Sequence, residues 1–105
     1  MLHIYSLILE VTSQLRPLID RIERHDRSLA TQMRRALSSV ALNTSEGAGS
    51  QGRNRRARYF NALGSAREAR ACIHVALAWS YVEKVDADLL DELERVIATL
   101  VRLIV

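Results

Sequence analysis

A chain of 105 residues is the size of one domain with a modest core. It is 49% apolar but only 5% aromatic, with a single proline, a balance that favours helices over strands. One cysteine excludes an intrachain disulfide and fits a reducing, cytoplasmic setting. No apolar run approaches the eighteen or so residues of a membrane span, and no basic, apolar leader opens the sequence.

The net charge of +3 conceals a gradient. Residues 1–23 sum to −1, residues 24–70 to +7 and residues 71–105 to −3. Nearly all the basic residues are Arg, and the middle of the chain is a basic block.

Residues 2–24 read as the first helix. Ile4, Leu7, Ile8, Val11, Leu15, Leu18, Ile19 and Ile22 share an arc about 120° wide, as a core-facing helix requires. Pro17 falls on the polar side, where a bend rather than a break is expected. Asp26 or Ser28 is the expected cap of a second helix, which ends at about Gly47. Its core face carries Leu29, Met33, Ala36, Leu37, Val40 and Thr44, while Leu42 points away from the core. Beside the core face runs a polar column of Gln32, Arg35, Ser39, Asn43 and Glu46. Ser and Asn compete for backbone hydrogen bonds inside helices, which makes the column unusual. It is either a solvated flank or a polar seam against another helix or subunit, with Arg35 and Glu46 as its charged members.

Gly47 to Gly52 matches G-x-G-x-x-G, but no strand precedes it, so a flexible connection is expected rather than a dinucleotide site. Arg53, Arg55, Arg56 and Arg58 follow at the start of a third helix. Cations gain nothing from the positive end of a helix dipole. Dipole and guanidiniums together would favour an anion such as phosphate, and Arg34 adds to the basic block. The plainer alternative is a solubilising loop. Tyr59 and Phe60, the aromatic pair that follows, make only a thin stacking platform.

The third helix is expected from about Asn54 to Val82, with a close helix approach at Gly64 and Ser65. Phe60, Leu63, Ala66, Ala69, Ile73, Val75, Leu77 and Trp79 leave little of its circumference polar. A helix apolar all round is buried on several sides, which in a four-helix domain implies a second copy of the chain. Glu68 has Arg35, Arg67 and Arg70 as candidate partners, or none. No nucleophile, metal-ligand spacing or carboxylate pair converges, so neither an enzyme nor a cofactor is expected. Cys72 reads as a small core residue. Asp86 caps a fourth helix whose stripe runs from Leu89 to Ile104, and Leu103 to Val105 suggest a docked end.

The run Gln32-x-Arg34-Arg35-Ala36-x-x-Ser39-Val40-x-x-Asn43-x-x-Glu46-Gly47, with Phe60-x-x-x-Gly64-Ser65-x-x-Glu68, resembles the bacterial four-helix-bundle family named after 23S rRNA intervening sequences. Thr44-Ser45 stands where that family usually has Ile-Ala, and no proline follows Val40. Accessory variability determinants of diversity-generating retroelements, which partner a reverse transcriptase, are related. The resemblance implies a barrel-like homopentamer. The expected protein is an all-α, antiparallel up-and-down four-helix bundle, assembled in a ring, that binds RNA or DNA through its basic surface. The competing expectations are a module that docks a reverse transcriptase and a purely structural oligomer.

Overall fold

The helical periods become four helices in a computed structural model that describes residues 3–105: α1 His3–Glu23, α2 Arg27–Ala48, α3 Gly52–Ala78 and α4 Ala87–Ile104. Leu2, expected to open the first helix, lies outside the described residues. Each helix packs against its neighbours in sequence, and α4 closes against α1, so α2 and α4 stand on a diagonal. Short connectors at residues 24–26 and 49–51 make consecutive helices antiparallel. The bundle is 42 Å long, and among the described residues no helix is long and apolar enough to cross a membrane.

The α1 stripe is buried from Ile4 to Ile22, and the helix continues unbroken through Pro17, which sits on its exposed side. Asp26 caps α2: its side chain accepts from the Leu29 N–H at 2.9 Å. Asp86 does the same for α4, accepting from the Asp88 N–H at 2.8 Å. The most extensive packing joins α2 to α3. Ala30, Ala36, Ala62, Ala66 and Ala69 are buried there and in the adjoining core, and such small side chains let helices approach closely.

Four expectations change. Gly47 does not stop α2. It is buried inside the helix end, and the cap falls at Gly49. A β-carbon on residue 47 would lie 2.6 Å from Tyr59 Cε1, so what this position requires is the absence of a side chain. Gly64 shows the opposite: it is exposed, with nothing within 4 Å of where its β-carbon would be. Helix α3 ends at Ala78 rather than Val82, because Ser80 adopts φ 60° and turns the chain out of the helix. Val82 is nevertheless buried in the core, which is why the apolar pattern runs past the helix end. Of the last three residues, Ile104 is half-buried while Leu103 and Val105 are exposed, so the end is only partly docked.

The substitution Gly47→Ala tests the contact with Tyr59. Alanine gains about 1 kcal/mol of helix propensity. Overpacking against a ring only 2% exposed should outweigh that gain and leave a net loss. Gly49→Ala, with no contact closer than 3.8 Å, should stay within about 0.5 kcal/mol of wild type in urea melts. Equal stability for the two variants would remove the constraint.

Candidate nucleic-acid interface

Where α2 and α3 diverge toward solvent they leave a polar groove. Three adjoining depressions form it, the first sharing Glu68 with the second and the second sharing Asn61 with the third. The polar column of α2 lies along its floor and one wall. In the middle the column is hydrogen-bonded. Ser65 Oγ donates to Ser39 Oγ at 2.8 Å, and the Asn43 amide donates to the Ser39 carbonyl and hydroxyl, both at 3.0 Å. These three residues are half-buried, so the centre of the column is a seam within the chain.

The ends of the column differ. Gln32 and Arg35 line an open depression together with Glu68, and no ion pair forms across it. Glu46 is exposed and pairs with Arg58 at 3.0 Å. Arg35 therefore pairs with neither Glu46 nor Glu68, the partners that the seam alternative offered it. Arg70 pairs instead with Glu94 of α4 at 2.8 Å. Arg27, Ser28 and Thr31 line the same end, although nothing in the sequence motifs singles them out. Their signal is the helical spacing of Arg27, Thr31 and Arg35, four residues apart on one face.

The four arginines occupy the first two turns of α3, all exposed. Gly52, at φ 58°, turns the chain into the helix, and Gln51 offers it no side-chain cap. No acidic residue lies in the first turn to offset the cations. Arg55 Nε donates to the Ser50 carbonyl at 2.9 Å, just beyond the carboxyl end of α2. Arg58 is steadied by Glu46 and touches Asn43 Oδ1 at 3.5 Å. Arg53 and Arg56 have no ionic partner among the described residues. Arg34 is placed apart from this group, on the α1 side of α2, where Glu23 and Asp20 engage it.

Cys72 is buried, and burial followed by the Glu68 carboxylate pushes its thiol above the usual value. That is the environment of an inert packing residue rather than a nucleophile. Thr44, fully buried at a position where Ile is usual in the resembled family, has no hydrogen-bond partner for its hydroxyl. No cluster of three metal-ligating side chains occurs among the described residues.

The fold and site define a helical-bundle protein whose second and third helices frame a polar groove ending in arginines. A model of the 23S rRNA-intervening sequence protein family matches residues 2–102, and the chain belongs to that family. A protein of unknown function from the S23 ribosomal protein family of Bacteroides thetaiotaomicron has the same fold, with a TM-score of 0.82. It is 16% identical, and the match covers 96% of this chain and 97% of that one. No curated protein matches the sequence.

The seam and the open ends should respond differently to truncation. Ser39→Ala and Ser65→Ala should each cost about 0.5–1.5 kcal/mol, and the double variant less than the sum, because both remove one bond. Arg35→Ala should stay within about 0.5 kcal/mol of wild type. Urea denaturation of the four variants against wild type measures each of these effects; strict additivity of the serine variants would sink the seam.

Proposed function

We propose that the chain is a non-enzymatic, homo-oligomeric nucleic-acid-binding protein that engages the phosphate backbone of RNA or DNA through the start of α3 and the adjoining groove. The observation that carries this reading is the pair of exposed arginines without ionic partners, Arg53 and Arg56, at an uncapped helix start. Arg55 and Arg58 are already positioned beside them by Ser50 and Glu46. Backbone N–H groups, the helix dipole and Arg forks all favour phosphate there. The family's name, which refers to an rRNA insertion, agrees with this reading.

Self-association is supported by the outer surface of the α2–α3 pair. Leu42 is 65% exposed on α2, and Val75 is exposed on α3. Large apolar side chains left exposed in this way mark an interaction surface. Resemblance to the family implies five copies. A ring would repeat the arginines once per copy, and avidity would then strengthen an interaction that is weak in one chain.

Replacing Arg53, Arg55, Arg56 and Arg58 with Gln should leave the fold intact. It should flatten the dependence of log K on log salt by about 0.7–0.9 for each phosphate no longer neutralised. Asp91→Asn, on the exposed face of α4, should not weaken binding. Retention of wild-type affinity by the four-Gln variant would reduce the arginines to a solvated loop. If wild type binds no nucleic acid at low salt, docking of a protein such as a reverse transcriptase becomes the better reading. Light scattering should give a multiple of 11.9 kDa, and Leu42→Glu with Val75→Glu should return a folded monomer. A wild-type monomer at tens of micromolar would remove the assembly and the avidity.

A further inference from the structure

The connectors at the end of the bundle away from the four arginines bring three aromatic rings into one stack. His25, from the connector before α2, lies parallel to Tyr81, with centroids 5.3 Å apart and planes 8° apart. Tyr81 in turn lies nearly parallel to Trp79, at 6.4 Å and 18°. The distances are those of offset stacking. The middle ring is tethered, because its hydroxyl donates to Asp26 Oδ2 at 3.2 Å, and Asp26 is itself held as the cap of α2. Partial burial and then that carboxylate raise the hydroxyl above its usual pKa. The ladder ends on Trp79, 68% exposed, which can cover only one face against Tyr81.

The surroundings of the ladder bear on what would lie on the open face. Arg24, Arg27 and Lys84 lie near the ladder in sequence without an ionic partner among the described residues, and so do the acids Glu83 and Asp86, so the charge there is mixed and recognition falls to the stacking face itself. Trp79 also follows Asn61, a residue of the groove, by 18 positions, which is five full helical turns. The two therefore lie on the same side of α3, about 27 Å apart. A strand held at the arginines and running along the groove would meet a rigid aromatic face at its other end.

We infer that the ladder is a nucleobase-stacking site, with an unpaired base of a single strand stacked on the open face of Trp79. This rests on the nucleic-acid reading above and adds to it a preference for single strands, since the bases of a duplex are already stacked on each other.

Trp79 is the single tryptophan, so its fluorescence reports on this site alone. The probes are an end-labelled oligoadenylate RNA of about 20 nucleotides and a duplex of the same length, followed by anisotropy and by indole emission. The single strand should quench Trp79 and the duplex should not. Trp79→Ala should weaken single-strand binding on the order of tenfold, leave duplex binding and its salt slope unchanged, and keep the helical circular dichroism. Trp79→Phe should retain most of the affinity. Single-strand binding without quenching, unchanged in Trp79→Ala, would overturn the stacking site and leave the arginine reading intact. Absence of binding to either probe by wild type would overturn both. An indole already buried in the free protein, with Trp79→Ala dissociating the assembly, would assign the ladder to packing between copies and overturn it as well.

Discussion

The ring of Tyr59 occupies the space that a side chain on residue 47 would need, with Cε1 2.6 Å and Cδ1 2.8 Å from the missing β-carbon. That contact brings the last turn of α2 against the second turn of α3. Alanines continue the close approach through the core. On the outer side the column from Gln32 to Glu46 meets Ser65 and Arg58 of α3, while Gln32 and Arg35 are left in an open depression.

The first turns of α3 break the rule that acids belong at helix starts. Arg55 and Arg58 are accommodated by a carbonyl and a carboxylate at the carboxyl end of α2, so the antiparallel neighbour supplies what the helix itself lacks. Local electrostatic conflict of this kind is tolerated where a surface has a task besides stability.

Much of this architecture is legible in the residues. The stripes of α1 and α4 repeat at the helical period, and Asp26 and Asp86 stand where a capping carboxylate must stand. The exposure of Leu42 follows from its angle alone. What escapes a reading of the residues depends on meetings across the chain. Gly47 and Gly64 look alike in one dimension, yet one is filled by Tyr59 and the other faces open space. Local rules make the first a helix stop and the second a packing site, and neither rule sees the facing helix. Arg35 and Glu68 line one open depression yet form no ion pair, an outcome that no rule of local spacing reports. Tyr59, next to Phe60 in sequence, is buried and unavailable for stacking, while the aromatic stack that does form joins His25 to residues more than fifty positions away. No periodicity announces such a meeting.

The diagonal arrangement of α2 and α4 has one more consequence. The basic middle of the chain builds the α2–α3 pair, and α4 carries Asp88, Asp91, Glu92 and Glu94 on the far corner. The chain is thus an electric dipole that runs along the bundle as well as across it, since the arginines open α3 at one end and Asp88, Asp91 and Glu92 open α4 at the other. In the field of a polyanion such a body experiences a torque before it touches anything, turning its arginines inward and its acidic helix away. Orientation would then be settled during approach, over roughly the 8–10 Å that physiological salt leaves unscreened.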